Sequence, residues 1–381
     1  MTTTITNEHK KLNVPNLRFP EFQGEWEKCK LGDYGKVVTG NTPPTKDIEN
    51  YENGTYLWAS PADLGTIKSI TETKTMLSAQ GFSKTRTLPK GSVLVTCIGS
   101  TIGKTGMATK EMSTNQQINS IVVNDNNDNE FVYYAIQSAF PRYLSSIAVQ
   151  AVPIISKSAF ELLPNNRPYL QEQKKIGKFL SLLDERIATQ NKIIDKLQSL
   201  IKGLRVILMQ IENGNIVHLG EIAQIYQPQT ISSTELTEDG FLVYGANGII
   251  GKYKQYNHKT EQICITCRGN TCGMVNYTKP MSWITGNAMV INTDEHQNKV
   301  CKRYLYHYLS AYNFSSIISG SGQPQIVRTP LEQLKVPLPT FLEQKQKATF
   351  LDKIQGKIEI SNKTLDLYLQ QKQYLLRQMF I

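Results

Sequence analysis

The sequence has few of the features that mark membrane, secreted or disulfide-stabilised proteins. None of its apolar runs approaches the ~18 residues that a membrane span requires, so we expect no membrane-spanning helix. The opening segment MTTTITNEHKK lacks the apolar core of a secretory signal. The six cysteines are scattered along 381 residues and form no disulfide framework, which favours a reducing cytoplasm.

Catalytic signatures are also scarce. The five histidines lie far apart and no nucleophile motif surrounds them. Neither the Asn-Pro-Pro-aromatic motif of amino-group methylation nor a glycine-rich cofactor loop is present, and TPPT at Thr42–Thr45 is only superficially close. We therefore expect no catalytic centre, no metal site and no cofactor in this chain.

Two stretches invite a ligand-site interpretation. STIGKT at Ser100–Thr105 follows an apolar run, but a phosphate-binding loop requires glycine where Ile98 stands. A glycine-rich turn that brings backbone amides near a phosphate fits better. Cys264, Cys267 and Cys272 lack the second pair or nearby histidine that zinc requires, so we expect buried thiols.

Two long amphipathic stretches organise the chain. From Leu170 to Ile211 and from Leu351 to Met379, apolar residues recur at alternating intervals of three and four, which predicts long helices needing a partner. Gln190 and Ser361 interrupt the two seams at corresponding positions. We expect an antiparallel coiled coil. Its seam residues are Ile176, Leu180, Leu183, Ile187, Ile194, Leu197, Ile201, Leu204, Leu351, Ile354, Ile358, Leu365, Tyr368 and Leu375.

An internal duplication relates the two halves of the chain. PYLQEQKK from Pro168 matches PTFLEQKQK from Pro339 before each long helix. LVTCIGSTIGKTG from Leu94 matches CITCRGNTCGMVN from Cys264, and VPIISKSAF from Val152 matches the later QPQIVRTPL. Blocks repeated at nearly one offset indicate a tandem duplication and argue against two unrelated helices, each packed on its own domain.

The predicted fold class is α+β, with two tandem-duplicated mixed α/β domains separated by the long helices. Strand-like runs at 35–39, 55–59, 92–98 and 120–123, and helical stretches at 130–144 and 158–163, supply the first domain. The predicted segments are a lead-in (1–25), a first domain (26–167), a central helix (168–212), a second domain (213–338) and a C-terminal helix (339–381).

Charge and loop composition indicate a polyanionic partner. The net charge of +10 is spread along the chain, as suits a long polyanion, although an ordinary basic protein has the same balance. Arginine pairs with guanine, and asparagine and glutamine with adenine, in the major groove. The candidate DNA-contacting residues are Lys84, Arg86, Lys104, Asn115, Gln116, Gln117, Tyr244, Asn247, Lys252, Arg268, Asn270, Asn287, Gln323 and Gln325.

These motifs, in this order, resemble the DNA-specificity subunit of type I restriction-modification systems. The resemblance covers nearly the whole chain. It rests on YGANGIIG at Tyr244–Gly251, the Arg268–Gly269 turn, WITGNAMVI from Trp283 and QPQI from Gln323. The first half carries weaker versions, and PNNRPYLQEQ departs from the proline-rich pattern expected before the first long helix.

The resemblance implies that each domain reads one half of a bipartite, asymmetric double-stranded DNA target, while the helices act as spacer. It implies two modification subunits that carry S-adenosylmethionine and methylate adenine N6, and restriction subunits that use ATP with Mg²⁺. The chain itself would be non-catalytic and cytoplasmic. Two alternatives stay open: a stand-alone or fused DNA methyltransferase or nuclease, and a coiled-coil scaffold that does not bind DNA.

Overall fold

The chain divides into two compact units in the computed structural model. The first consists of Met1–Asn191 with Thr364–Ile381, and the second of Lys192–Lys363. The predicted division into five segments stays a prediction. The first part of the lead-in, the seam residue Ile211 and the predicted turn at Asn213 lie outside the described residues. The structure describes residues 12–65, 67–146, 153–210, 215–320 and 322–381.

Strands and short helices make up each unit, and two long helices run through the chain. The strands are β1 (Glu27–Lys30), β2 (Gly35–Thr39), β3 (Tyr56–Ala59), β4 (Ser69–Ile70), β5 (Thr75–Leu77), β6 (Val93–Thr96), β7 (Thr105–Ala108), β8 (Ser113–Thr114), β9 (Ile118–Val123), β10 (Pro164–Arg167), β11 (Asn215–His218), β12 (Gln224–Tyr226), β13 (Phe241–Gly245), β14 (Gly248–Tyr253), β15 (Ile263–Thr266), β16 (Val275–Tyr277), β17 (Trp283–Ile284), β18 (Ala288–Asn292) and β19 (Lys335–Leu338). The helices are α1 (Ala79–Ser83), α2 (Asn129–Ser146), α3 (Lys157–Glu161), α4 (Leu170–Met209), α5 (Lys302–Ala311), α6 (Arg328–Glu332) and α7 (Phe341–Gln378).

The first unit contains a sheet of order β2-β9-β6-β7-β4 and a smaller sheet of order β5-β3-β8. All of β6 is buried, which explains its continuous apolar run. Val93 and Val95 enter the core beneath α2, whereas Leu94 enters a second core between the sheets. Successive side chains of a strand point to opposite faces, so one apolar strand supplies both cores.

The second unit repeats this plan with sheets of order β12-β18-β15-β16 and β14-β13-β17. Along β15, Ile263 and Ile265 enter the core beneath α5, while Cys264 enters the other core. Cys267 follows the strand and returns to the first of these cores. The two thiols therefore lie on opposite faces, and burial raises the pKa of Cys264. Within the described residues, no group of His, Cys, Asp and Glu side chains could hold a metal ion.

A two-stranded ribbon closes each unit next to a long helix. β1 pairs with β10 through Cys29 opposite Asn165, and β11 pairs with β19 through Val217 opposite Val336. The sequence PNNR, which departs from the proline-rich pattern, thus forms the same paired strand as KVPL. The two junctions are structurally equivalent, although the first looks irregular in sequence.

Buried glutamines explain the matched sequences at the starts of the long helices. Gln173 donates to the carbonyl oxygen of Pro168 at 2.9 Å, and Gln344 donates to that of Pro339 at 3.0 Å. The side-chain oxygen of Gln173 accepts from the Asp128 amide at 3.0 Å, as that of Gln344 does from the Cys301 amide at 2.9 Å. Each glutamine fixes the helix start to the loop before α2 or α5. Burial makes these hydrogen bonds necessary.

The predicted seam residues lie on the inner faces of the long helices, and α4 and α7 run in opposite directions within each unit. In the first unit, the N-terminal part of α4 packs on the C-terminal part of α7. Ile176, Leu180, Leu183 and Leu375 are buried there, with Ile187 and Tyr368 partly buried against them. In the second, Ile201 packs with Leu351, Ile354 and Ile358, flanked by Leu197 and Leu204. Ile194 is buried and Leu365 is half-buried. None of the helices within the described residues is long and apolar enough to cross a membrane.

Polar networks join each domain to the helices of its own unit. In the first unit, Asp184 on α4 pairs with Lys372 on α7 at 2.7 Å, and accepts from the Tyr134 hydroxyl of α2 at 2.6 Å. Lys68 adds a hydrogen bond to Ser181 on α4 at 2.8 Å. Because Asp184 and Lys372 are both largely buried, losing either would leave a poorly solvated charge.

The second unit uses a different network at the corresponding place. Arg205 Nε donates to His307 Nδ1 at 3.1 Å, and His307 Nε2 donates to Asp352 Oδ1 at 2.8 Å. Arg303 Nε donates to the same carboxylate oxygen at 2.8 Å. Burial lowers the pKa of His307, and the hydrogen bond to Asp352 offsets part of this effect. The arrangement requires a neutral imidazole, because Nδ1 must accept from arginine.

Candidate nucleic-acid interface

A glycine turn at residues 97–104 joins β6 to β7 in the first unit. The Thr96 amide donates to the Lys104 carbonyl at 2.9 Å, and the Gly103 amide donates to the Thr96 carbonyl at 2.9 Å. Gly99 and Gly103 have φ of 93° and 90°, a region that glycine adopts without strain. The turn joins two antiparallel strands, whereas a phosphate-binding loop leads from a strand into a helix. The alternative of a nucleotide-binding P-loop is therefore wrong.

The second unit has the same turn between β15 and β16. The Thr266 amide donates to the Met274 carbonyl at 2.8 Å, and the Gly273 amide donates to the Thr266 carbonyl at 2.9 Å. Gly269 and Gly273 have φ of 83° and 90°. The threonines and glycines shared by the two sequences are thus the residues that shape the turn.

Two neighbouring segments hold the first turn from either side. The Cys97 amide donates to the Gln117 carbonyl at 2.7 Å. On the other side, the Gly99 amide donates to the Pro153 carbonyl at 3.0 Å, and the Ile155 amide donates to the Cys97 carbonyl at 2.8 Å. Three loops that are distant in sequence therefore form one surface.

The same three loops meet in the second unit. The Cys267 amide donates to the Asn287 carbonyl at 3.2 Å, the Gly269 amide to the Pro324 carbonyl at 2.9 Å, and the Ile326 amide to the Cys267 carbonyl at 3.0 Å. The backbone of this surface, which we call the turn platform (residues 97–104, 115–117 and 153–155, or 267–274, 285–287 and 323–326), is thus duplicated with its hydrogen bonds.

Four predicted DNA-contacting residues of the first domain lie on its turn platform. Lys104 and Gln116 are exposed, and Gln116 accepts a hydrogen bond from the Thr42 hydroxyl. Asn115 is buried and donates to the Gln117 side-chain oxygen at 3.0 Å. Asn115 therefore positions Gln117 and does not itself reach the surface.

Lys84 and Arg86 lie on an adjoining loop. The Arg86 guanidinium donates to the Thr39 carbonyl at 2.8 Å, and its amide donates to the Asn41 side chain at 2.9 Å. Lys84 donates to the Asn50 side chain at 2.9 Å. Both remain exposed, so they extend the positive charge of the platform.

The second turn platform presents a more polar set of side chains. Arg268, Asn270 and Gln325 are exposed on the turn and on the segment beside it, as are Asn287 and Gln323. These five residues carry the donors and acceptors that read base edges or bind phosphates.

The β13–β14 hairpin reaches this platform at its tip and shows which of its predicted contacts are accessible. Asn247 at the tip is exposed and accepts from the Thr271 hydroxyl at 2.6 Å. Tyr244 is buried, its hydroxyl accepts from the Lys279 amide at 3.1 Å, and burial raises its pKa. The prediction that Tyr244 contacts DNA is wrong, because this side chain packs in a buried core. Lys252 pairs with Leu242 at the opposite end of the hairpin and lies outside the platform.

Sequence reasoning overlooked several residues of the two platforms. Ile98 and Ile154 form an isolated β-bridge in the first unit, where Arg268 and Gln325 form the equivalent bridge in the second. Gln227, from outside the second platform, supports it by donating to the Cys267 sulfur at 3.1 Å. The internal alignment pairs Ile98 with Arg268, but the sequence does not show which residue each of them faces across the bridge.

Comparison with known families gives a match over most of the chain. A family model described as "Type I restriction modification DNA specificity domain" matches residues 23–199 and again residues 212–367. The two matches correspond to the two tandem copies, each with its following helix.

Two curated proteins are similar over nearly their whole lengths. The type I restriction enzyme MjaVIII specificity subunit of Methanocaldococcus jannaschii is 25% identical, over 91% of this chain and 89% of its own. The type I restriction enzyme EcoprrI specificity subunit of Escherichia coli is 24% identical, over 86% and 87%.

Solved structures share the architecture. The S subunit of a type I restriction-modification system from M. genitalium superposes with a TM-score of 0.67 at 19% identity, covering 97% of this chain and 99% of that one. A second structure, from work on complex assembly and conformational transition of the type I R-M system, gives a TM-score of 0.55 at 17% identity, covering 92% and 96%. At these identities the two structures establish the fold.

Proposed function

Because the chain belongs to the type I restriction-modification DNA specificity family, we propose that each turn platform reads one half of a bipartite, asymmetric DNA target. Exposed arginine, asparagine and glutamine side chains on the platforms make the base contacts. Exposed lysines, among them Lys104, contact phosphates. The net charge of +10 contributes a sequence-independent attraction to DNA.

The duplicated platform is the observation that carries this proposal. Its backbone hydrogen bonds recur in both units, while the side chains that it presents differ. A surface whose backbone is fixed and whose side chains vary suits a family whose members recognise different sequences. Two different copies in one chain favour a target whose two halves differ.

We assign the spacer function to the long helices. α4 comprises 40 residues, which at 1.5 Å per residue span ~60 Å. Inserting one heptad between Gln190 and Ile194, with a matching heptad between Ser361 and Leu365 because both helices pack within both units, preserves the phase of the seam and adds ~10 Å. The non-specific gap in the target should then lengthen by about 3 base pairs, at ~34 Å per DNA turn. A variant that folds and directs methylation with an unchanged gap would contradict the spacer function.

The partners are proposed as subunits of the same system. Two modification subunits bind S-adenosylmethionine and methylate adenine N6, and restriction subunits use ATP with Mg²⁺. The chain itself supplies recognition and no catalysis. The family description, which names DNA specificity, supports this division of labour.

The decisive experiment maps methylated adenines across the genome with this gene present and deleted. One bipartite motif should lose methylation upon deletion and regain it when the gene is restored. A catalytic chain would instead methylate or cut DNA by itself when incubated with S-adenosylmethionine and Mg²⁺. A scaffold that does not bind DNA would show no salt-dependent binding to any duplex.

A further inference from the structure

An apolar pair of side chains occupies the centre of the first turn platform. Ile98 and Ile154 face each other across a β-bridge. The flanking hydrogen bonds join Gly99 to Pro153 and Ile155 to Cys97, so the two isoleucines are a non-hydrogen-bonded pair. Such pairs have Cα atoms about 4.5 Å apart, with both side chains on one face.

This apolar pair is open to solvent. Ile154 is 53% exposed, and Ile98 is half-buried. Neither belongs to one of the buried clusters of the first unit. The side-chain nitrogen of Gln117 lies 3.8 Å from where a Cβ of Gly99, the residue after Ile98, would stand, so a carboxamide belongs to the same turn platform.

The second unit presents a hydrogen-bonding pair at the same place. Arg268 and Gln325 form the equivalent bridge, again flanked by bonds from Gly269 to Pro324 and from Ile326 to Cys267. Both side chains are exposed. The backbone is therefore the same in the two platforms, and only the chemistry of the paired side chains differs.

We propose that Ile98 and Ile154 determine specificity by packing on the 5-methyl group of a thymine in the half-site read by the first domain. This inference rests on the proposed function and adds the chemical feature that is read. Apolar side chains recognise thymine through its methyl group in the major groove, and amides recognise adenine. The isoleucine pair and Gln117 belong to one turn platform, and one A·T pair offers a methyl group to the first and an adenine edge to the second.

The second domain makes hydrogen bonds at the equivalent place. Arg268 and Gln325 carry donors for guanine and adenine and no comparable apolar surface. Replacing thymine by uracil removes only the methyl group. It should therefore weaken the contact that Ile98 and Ile154 make with the first domain's half-site and leave the contact of Arg268 and Gln325 with the other half-site unchanged.

The test measures equilibrium binding of the full chain, with its modification subunits, to the target identified by methylation mapping. Three duplexes are compared: unmodified, and with uracil replacing thymine in one half or in the other. Burying one methyl group contributes ~0.8 kcal/mol, so wild-type affinity should fall about fourfold for uracil in one half only. Ile154→Ala should bind the unmodified duplex more weakly and show no further loss with uracil.

Leu162→Ala is the matched control, since Leu162 is 59% exposed in the same unit and lies outside the platform. It should retain the wild-type response to uracil. Two results would overturn the inference: a wild-type complex indifferent to uracil in both halves, or an Ile154→Ala complex that responds as wild type does. If the wild type bound its target no better than random duplex, the proposed function itself would fail.

Discussion

The two turn platforms differ in what they keep and in what they change. Both keep the hydrogen bond from the glycine amide to the threonine carbonyl within the turn and the bonds to the two flanking segments. They change the residues on the exposed face: Ile98 and Ile154 in one copy, Arg268 and Gln325 in the other. Backbone hydrogen bonds fix this surface independently of its outward side chains, so those side chains can vary without loss of the fold.

The surroundings of the two platforms have also diverged. The first unit adds β4 at the edge of its main sheet and α1 before β6, whereas the second leads from the β13–β14 hairpin directly to β15. The attachment to the long helices differs as well, through Asp184 and Lys372 in one unit and His307 and Asp352 in the other. Equivalent surfaces are thus supported by different polar contacts.

The largest expected difference concerns the second glycine of each turn. A Cβ at Gly103 would lie 2.5 Å from the buried Phe140 ring, whereas one at Gly273 would lie 3.2 Å from Phe314. Both positions have positive φ, which costs about 1 kcal/mol for alanine. Overpacking adds ~1–3 kcal/mol at Gly103. Gly103→Ala should therefore cost ~2–4 kcal/mol and Gly273→Ala ~1–2 kcal/mol, measured by denaturant unfolding.

Gly203→Ala is the control for this comparison. Gly203 lies in α4, and a Cβ there would have open space, so alanine should stabilise by up to about 1 kcal/mol. If Gly103→Ala and Gly273→Ala lowered the free energy of unfolding equally, the two turns would be packed alike, which would contradict the different contact distances.

The next effect concerns DNA binding by the second platform. Arg268→Ala should weaken specific binding by ~1–3 kcal/mol and relax discrimination at one base pair, if the guanidinium contacts a guanine. Fluorescence anisotropy with the cognate duplex and single-base variants measures both. Arg328→Ala, at an exposed arginine of α6 paired with Glu332, should leave base discrimination unchanged and lower affinity equally for all duplexes. Unchanged affinity and specificity in Arg268→Ala would remove this residue from the interface.

The smallest expected effect is a pH dependence of stability that the second unit shows and the first does not. Burial lowers the pKa of His307, which is surrounded by Arg205, Arg303 and Asp352. Because the folded pKa lies below the unfolded value of ~6.5, the stabilisation is complete above that pH. It is lost as the pH falls from there through the folded pKa. YYAIQSAF from Tyr133 in α2 aligns with LYHYLSAY from Leu305 in α5, so Ala135 stands where His307 does and the first unit lacks this contribution.

Hydrogen exchange of α5 and α2 at pH 7.0 and 5.5, corrected for intrinsic rates, tests the pH prediction. Protection of α5 should fall at the lower pH while that of α2 changes less. His307→Gln should reduce the difference between the helices. Parallel behaviour of α2 and α5 in the wild type would contradict the role given to His307.

Much of the architecture could be predicted from the sequence, because local patterns determine it. The apolar seams follow from helical periodicity, and the duplication follows from repeated blocks. The matched helix starts are visible in the sequence, but their cause appears only in the structure: Gln173 and Gln344 donate to the preceding proline carbonyls.

The details of the site could not be predicted, because long-range pairing sets them. The spacing between copies changes from 170 residues at Gly99 and Gly269 to 171 at Pro153 and Pro324. The repeated blocks align Ile154 with Gln325, but only the three-dimensional bridges show that Ile154 faces Ile98 and that Gln325 faces Arg268. The prediction for Tyr244 is wrong for a similar reason. Its hydroxyl accepts a hydrogen bond from the distant Lys279 amide, so the side chain is buried although its type is common in DNA-contacting loops.

The central claim is that one scaffold, present twice, reads two half-sites independently. Replacing residues 26–165 by the first domain of another family member, and then mapping methylated adenines across the genome, tests it most directly. The account predicts a new sequence in one half of the target, with the other half and the gap unchanged. A change in both halves would contradict it.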